Sequence, residues 1–155
     1  MKTKSFLKTL VAMLFAAMTV TSCSQSGAHE PDGDWTPMEW DSQVKTELDG
    51  TITVPASGGT YVFTCTNYAA PWLAEIKENG VIYRPGFIVG GDMTTVECPE
   101  NTIFNLKSEC STVSASKRDI TVTIAPNAGE ISRKIQVSVT AGDIFDTFCF
   151  VQSVK

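Results

Sequence analysis

Strict alternation of apolar and polar residues over short segments is the feature that most constrains the fold of this chain. Residues 120–124 read ITVTI, and residues 135–139 read IQVSV. Residues 61–66, YVFTCT, and 148–151, FCFV, divide their side chains between two faces in the same way. Because successive side chains of a strand point to opposite faces, each segment predicts a β-strand with one face in a core.

Turn-forming residues separate these segments. Asn79-Gly80 stands between two β-prone runs, and both positions of such a pair adopt positive φ, which predicts a tight hairpin. The runs PASGG at 55–59, PNAG at 126–129 and AGD at 141–143 predict further turns. No long segment has the period of an amphipathic helix. The sequence therefore predicts an all-β fold, an antiparallel β-sandwich of short strands.

The middle of the chain, residues 85–117, mixes Gly, Pro and short apolar runs without clean alternation. We expect a strand at 94–97, and either a strand or one helical turn at 105–109. A structureless loop of this length is uncommon in a compact domain. The segment is therefore expected to add to the sandwich as a longer inserted middle segment.

The N-terminus has the layout of an export signal. Three lysines within the first eight residues form a basic region, and the apolar stretch 9–21 is too short to span a bilayer. Small residues then precede Cys23, in a run that resembles the lipobox of bacterial lipoproteins. We predict a lipoprotein signal peptide over 1–22 and a lipid-modified Cys23. The alternative is an ordinary signal peptide that is cleaved nearby.

The residues after Cys23 are typical of a tether. Residues 23–43 are rich in Ser, Gly, Pro and acidic residues. The sandwich is accordingly placed at 44–155, a length that suits one domain. Trp35 and Trp40 are unusual in a tether. We expect them to pack against the sandwich and fix the tether's exit, with exposed contact to a ligand as the alternative.

The charge of the chain excludes two classes of partner. Its formal net charge is −5, and loss of the three lysines in residues 1–22 makes it −8. Nucleic acids and anionic lipid surfaces are bound mainly through Lys and Arg, so neither is an expected partner. Attachment to the membrane is expected through the N-terminal lipid.

Catalytic chemistry finds little support in the residues present. The single histidine, His29, lies in the predicted tether, where no fixed partner is expected for a nucleophile–His pair. No Gly-rich phosphate-binding signature is present. Carboxylate candidates for glycoside hydrolysis are Glu75, Glu78, Asp92 and Glu97. We interpret these as solvated surface residues, and we expect a protein that is not an enzyme and has no cofactor.

The cysteines permit disulfides but do not indicate a metal site. Cys65, Cys98, Cys110 and Cys149 follow Cys23, and an even number in an exported chain permits two bridges. We predict a Cys98–Cys110 bridge that closes a surface loop. Cys65 and Cys149 are either free buried thiols or bridged to each other. No CxxC pair is present, so we expect no metal site.

Four segments together resemble a known family: VPASGGTYVF at 54–63, ITVTIAPN at 120–127, RKIQV at 133–137 and FCFVQ at 148–152. In this order they are similar to the BACON domain of Bacteroidetes. The resemblance implies an immunoglobulin-like β-sandwich in an envelope protein, placed at the cell surface or the periplasmic face of the outer membrane. Such domains often accompany glycan-degrading enzymes, and carbohydrate or mucin binding is proposed for the family; other members resemble spacers.

Aromatic residues are the candidate ligand contacts, because the apolar faces of sugar rings stack on Trp and Tyr. The candidates are Tyr68, Trp72, Tyr83, Phe87, Trp35 and Trp40. We expect Trp72 in the core, with ligand contact as its alternative, and we consider Tyr83 and Phe87 as a platform at the hairpin end. The predicted function is non-catalytic binding of carbohydrate or mucin glycans. The alternative is a structural or protein-interaction subunit of an outer-membrane complex.

Overall fold

Short β-strands make up the regular structure of residues 36–91 and 94–155, the part of the chain that the computed structural model describes. The strands are β1 (Trp40–Asp41), β2 (Thr51–Val54), β3 (Gly59–Cys65), β4 (Trp72–Glu78), β5 (Val81–Arg84), β6 (Gly86–Val89), β7 (Thr95–Cys98), β8 (Asn105–Lys107), β9 (Ser111–Ser116), β10 (Asp119–Ile124), β11 (Arg133–Thr140) and β12 (Phe145–Gln152). Within these ranges there is no helix, and hence none long and apolar enough to cross a membrane.

The strands form two sheets that pack together across the core. The five-stranded sheet has the order β1-β3-β10-β9-β8, and the seven-stranded sheet has the order β2-β12-β11-β4-β5-β6-β7. Neighbouring strands run antiparallel, except that β2 and β12 run parallel. The predicted β-sandwich is confirmed, with this parallel pair as its one departure among the described strands.

The core follows the alternation of the strands. Ile120, Val122 and Ile124 of β10 are buried, while the threonines between them are not. Phe63 of β3 stacks on Phe148 of β12 with ring centroids 4.0 Å apart, so an aromatic contact joins the two sheets. Each large apolar side chain that is fully buried in this way contributes about 1.5–3 kcal/mol. The inner faces of the sheets therefore supply most of the stabilising burial.

Gln152, the last residue of β12, is fully buried and ties three segments together. Its Nε2 donates to the carbonyl of Ala125 at 2.8 Å and to that of Pro55 at 3.4 Å. Its Oε1 accepts a hydrogen bond from Arg133 Nη1 at 3.3 Å. A buried amide must be hydrogen-bonded, and here the bonds connect the turn after β2 with the segment after β10. This network explains the glutamine that ends the closing strand.

The predicted hairpin at Asn79-Gly80 joins β4 to β5. Asn79 has φ 48° and Gly80 has φ 94°, which are the positive values that such a turn requires. The Asn79 side chain adds a tertiary contact, because its Oδ1 accepts a hydrogen bond from the Lys134 backbone N–H at 3.0 Å. The turn is thus fastened to β11 as well as to its own two strands.

The middle segment extends both sheets rather than forming a loop. The strand expected at 94–97 is β7, which lies at one edge of the seven-stranded sheet. The segment expected at 105–109 forms the short strand β8 at an edge of the five-stranded sheet, not a helical turn. The chain therefore passes from one sheet to the other between β7 and β8.

The sandwich begins before the predicted boundary at 44. Trp40 pairs with Cys65 and Asp41 pairs with Thr64, so β1 is part of the five-stranded sheet. Met38 is buried in the core. Residues 36–43 therefore belong to the sandwich, although their Pro and acidic residues predicted a tether. The predicted signal peptide 1–22 and Cys23 lie outside the described residues.

Candidate ligand-binding face

The candidate site is the face of the seven-stranded sheet that points away from the core, which we name the outer face. Side chains opposite each other in an antiparallel ladder share a face, so the strand register identifies its members. They include Trp72, Glu75, Arg84, Phe87, Glu97, Ser138, Phe145 and Thr147. The intervening residues of these strands include Leu73, Ile76 and Val139, which are fully buried on the inner face.

A polar row crosses the outer face. Ser138 Oγ and Thr147 Oγ1 lie 3.1 Å apart in a hydrogen bond between β11 and β12. Arg84 donates from Nε at 3.0 Å and from Nη2 at 2.9 Å to the same oxygen, Oε2 of Glu75. A surface ion pair of this kind contributes little stability. Its effect is to orient the guanidinium, whose side chain is still 53% exposed.

Three aromatic side chains stand on the same face. Phe87 of β6 is 47% exposed and lies between Arg84 and Glu97 in the register. Phe145 of β12 is 66% exposed, and Trp72 of β4 is half-buried. Trp72 and Phe145 are both register partners of Thr140 on β11, so they flank it. The outer face therefore combines apolar rings with hydrogen-bonding groups.

The expectation that Trp72 lies in the core is wrong. Leu73, its neighbour in the chain, takes the inward position and is fully buried opposite Val139. The register shifts between Ser138 and Val139, which marks an irregularity in the β4–β11 pair. A shift of one residue moves a side chain to the other face of a sheet, and Trp72 is on the outer one. Phe145 was not singled out from the sequence. Phe148 and Phe150 point inwards, so the alternation of the same strand puts Phe145, three residues before Phe148, on the opposite face.

Tyr83 and Phe87 do not form a platform, because they lie on opposite faces. Tyr83 pairs with Ile76 and Ile88 on the inner face and is only 9% exposed. Burial, and then the nearby carboxylate of Glu78, raise the pKa of the Tyr83 hydroxyl. Of the two residues at the hairpin end, only Phe87 is available to a ligand.

Trp40 and Tyr68 make contacts within the sandwich. The Trp40 ring meets Phe148 edge-on with centroids 4.9 Å apart, and its Nε1 donates to Asp146 Oδ2 at 2.8 Å. The Tyr68 hydroxyl donates to the carbonyl of Thr36 at 2.6 Å. Both residues therefore hold residues 36–41 on the sandwich. Trp35 lies outside the described residues.

The predicted Cys98–Cys110 bridge is not formed; all four cysteines of the described ranges are free thiols. Cys98 lies at the end of β7, where its thiol hydrogen-bonds to Glu100. Cys110 lies beside Glu78, whose Oε2 accepts its backbone N–H at 3.2 Å. Burial, and then the hydrogen bond to Glu78, raise the pKa of the Cys110 thiol to about 12. A thiol kept protonated in this way is a poor nucleophile.

The carboxylates do not assemble a hydrolytic pair on β4. Glu75 lies on the outer face with Arg84, whereas Glu78 is buried on the inner face opposite Ile135. Asp92 lies outside the described residues. Within 36–91 and 94–155, no group of three or more His, Cys, Asp or Glu side chains is arranged to hold a metal ion. The outer face offers aromatic rings for stacking and polar side chains for hydrogen bonding.

Comparison with known proteins supports the fold. The chain is similar to a protein from Bacteroides thetaiotaomicron whose structure was determined by NMR. The two chains share 28% sequence identity with a TM-score of 0.63, over 81% of this chain and 94% of the other. No protein-family model and no curated protein matches the chain. The fold is therefore a β-sandwich that has a solved relative of similar extent.

Proposed function

We propose that this chain is a non-catalytic, lipid-anchored module of the bacterial outer membrane, at its surface or periplasmic face, and that it binds carbohydrate or mucin glycans. The observation that carries the proposal is the outer face, where Trp72, Phe87 and Phe145 stand exposed or half-exposed beside polar side chains. The resemblance to the BACON domain, in its segments 54–63, 120–127, 133–137 and 148–152, points to the same class of ligand.

The composition of the face suits a sugar chain. Aromatic rings stack on the apolar faces of sugar rings, while fixed polar groups orient the hydroxyls. Arg84 and Glu75 supply charged donors and acceptors, and the Ser138–Thr147 pair supplies hydroxyls. Trp72 and Phe87 are two strands apart, a lateral separation of about 10 Å from the strand spacing of sheets. The rings are also offset along the strands, because Trp72 is level with Thr140 and Phe87 is level with Arg84. An extended saccharide laid diagonally across the strands contacts both rings.

The anchor places this face at the envelope. Each buried CH2 of a lipid chain contributes about 0.8 kcal/mol to membrane binding, so several chains on Cys23 hold the protein there. With residues 36–43 in the sandwich, the proposed tether shortens to residues 23–35. Alanine at Cys23 is expected to release the protein from membranes. Retention of that variant in the membrane fraction contradicts the lipid anchor.

A glycan array tests the ligand. The mature chain, residues 23–155, is applied to mucin and plant glycans beside Trp72→Ala and Phe87→Ala. We expect binding that drops at least tenfold in each variant. Phe104→Ala is the matched control, because Phe104 is 53% exposed but lies between β7 and β8 rather than on the outer face. Absence of binding to every glycan, or equal losses in all three variants, overturns the proposal.

The second candidate function is a protein-interaction subunit of an outer-membrane complex. It is favoured by the unpaired edge that β3 presents beyond β1, because open sheet edges pair with other chains. Purification from membranes in mild detergent tests it. A stoichiometric partner that co-purifies supports it, and a solitary monomer contradicts it.

A further inference from the structure

The edges of the two sheets differ in how their backbone groups are covered. At β8, Asn101 Oδ1 accepts the Lys107 N–H at 2.8 Å and Asn101 Nδ2 donates to the Lys107 carbonyl at 3.3 Å. At β2, the Thr51 carbonyl accepts the N–H of Glu47 at 2.8 Å, and the Thr51 N–H donates to Asp49 Oδ1 at 2.9 Å. Side chains and loops therefore cap β8 at Lys107 and β2 at Thr51, a common protection of edge strands.

Strand β7 is protected in another way. It is four residues long, carries the charged Glu97, and is followed directly by Pro99. Short length, charge and proline are the devices that discourage pairing at a sheet edge. The fourth edge is formed by β1 and by the part of β3 that β1 does not cover. Residues 59–63 of that edge include no charged residue and no proline.

The edge of β3 is open because β1 ends early. β3 has seven residues, and β1 pairs only with Cys65 and Thr64. At the next position, the carbonyl of Val62 accepts a hydrogen bond from Ser42 Oγ at 2.6 Å. Ser42 Oγ also accepts the Val44 N–H at 3.2 Å, in a local turn. The chain thus leaves the edge at Ser42.

The groups beyond this point are unpaired. Backbone groups in an antiparallel strand point alternately to its two neighbours, and the Cys65 N–H is directed to Arg118, on the β10 side. The N–H of Val62 and both backbone groups of Thr60 are therefore directed away from β10. None of these groups has a hydrogen-bond partner among the described residues.

A groove of about 640 Å³ lies along this edge. It is lined by residues 41–45, by Ile52 and Thr53 of β2, and by residues 60–62 and Thr64 of β3. The half-buried ring of Tyr61, 5.4 Å from the Phe150 ring centroid, supplies an apolar contact. An extended chain placed in this groove lies beside the unpaired backbone groups of Thr60 and Val62.

We propose that this groove binds an extended, uncharged peptide segment of another protein by strand addition to β3. The peptide pairs with the free backbone groups of Thr60 and Val62 and directs an apolar side chain towards Tyr61. β1 shows that the same edge already accepts a strand, and the peptide continues that ladder. The groove holds one acidic and one basic side chain, Asp41 and Lys45, which favours a peptide without net charge. This site rests on the second candidate function, protein interaction, for which it names the edge and the kind of partner; it is separate from the outer face and does not depend on glycan binding.

A phage-displayed library of random heptapeptides, selected on the full chain, provides the probe. We expect enriched uncharged peptides whose affinity falls at least tenfold in Thr60→Pro, because proline removes the N–H and the peptide loses a backbone bond. Thr95→Pro on β7 is the matched control and is expected to bind normally. Thermal unfolding of both variants shows whether they are folded. Failure to enrich peptides, or equal losses in the two variants, overturns the proposal.

Amide hydrogen exchange of the unmodified protein gives a test that no variant can confound. The amides of Thr60 and Val62 are expected to exchange at least tenfold more slowly when a selected peptide is bound, with no change at Thr95. Protection confined to β7 contradicts the site. Protection of Thr60 in a dimer without peptide identifies a second copy as the occupant and overturns the peptide assignment. Mucin glycans are expected to leave these two amides unchanged, so failure here and failure of the glycan proposal are distinguishable.

Discussion

The two faces of the seven-stranded sheet are built from the same strands but are shaped by different demands. On the inner face, Ile135, Val137 and Phe150 are fully buried in the core. On the outer face, Phe87 and Phe145 are exposed beside hydrogen-bonded polar groups. Packing decides the residue type on the inner face. The exposed rings of Phe87 and Phe145 are not buried in that core.

The two faces are expected to respond differently to substitution. Replacing an inner residue removes buried contacts and leaves a cavity, whereas replacing an exposed aromatic residue on the outer face removes few buried contacts. Inner variants are therefore expected to lower the free energy of unfolding. Outer variants are expected to change binding with little effect on unfolding.

Phe150→Ala is expected to show the largest effect. Phe150 is fully buried and touches the rings of Tyr61 and Phe63 with centroids 5.4 and 6.2 Å away. Loss of the ring should lower the free energy of unfolding by about 3–5 kcal/mol. Urea unfolding followed by tryptophan fluorescence measures this. If Phe150→Ala lowered the free energy of unfolding as little as Phe87→Ala, the two faces would not differ in their contribution to stability.

Gln152→Leu is expected to rank second. It leaves the Ala125 carbonyl and Arg133 without the buried amide that joins them, at a cost of about 1–3 kcal/mol. Gln136→Leu is the matched control, since Gln136 is half-buried on the outer side and its amide donates to the Cys149 sulfur at 3.6 Å. Chemical denaturation of the two variants is expected to show a lower midpoint for Gln152→Leu and an unchanged midpoint for Gln136→Leu. Equal midpoints would show that the network contributes nothing.

The Cys110 thiol predicts a dependence of stability on alkaline pH. Its pKa rises from an ordinary 9.0 to about 12, through burial and then through the carboxylate of Glu78. Because the folded pKa is above the unfolded one, this contribution is complete below about pH 9 and is lost as pH rises towards 12. Unfolding midpoints across this range should fall less steeply in Cys110→Ala than in the unmodified protein. Cys149→Ala is the control and should keep the original slope; identical slopes in all three proteins contradict the prediction.

Phe87→Ala is expected to have the smallest effect on stability, less than about 0.5 kcal/mol, as is usual for exposed positions. Its thermal unfolding should therefore coincide with that of the unmodified protein. A drop comparable with that of Gln152→Leu would show that Phe87 has a packing role, and the outer face would then be part of the fold rather than a free surface.

Local patterns made much of the fold predictable. Residues 120–124 and 135–139 alternate cleanly, and they form β10 and part of β11. Asn79-Gly80 has a turn geometry that few other residues adopt, so the hairpin between β4 and β5 could be located as well. In these segments the local preference agrees with the tertiary environment.

The missed features depend on distant partners. β1 is only two residues long, in a segment rich in Pro and acidic residues, and it forms because β3 lies beside it. The parallel pairing of β2 with β12 joins segments about a hundred residues apart, which no local pattern indicates. The face on which Trp72 lies could not be predicted without the register shift opposite Ser138 and Val139. The candidate face could be found only after the two faces were distinguished.

The most direct test of the central claim is NMR titration of the isotope-labelled mature chain with O-glycans released from mucin. We predict chemical-shift changes centred on Trp72, Phe87 and Phe145, and on Arg84 beside them. Residues on the exposed side of the five-stranded sheet, such as Thr121 and Thr123, are expected to stay unchanged. Shifts centred on the five-stranded sheet, or no shifts at saturating glycan, would contradict the assignment of the outer face as the ligand surface.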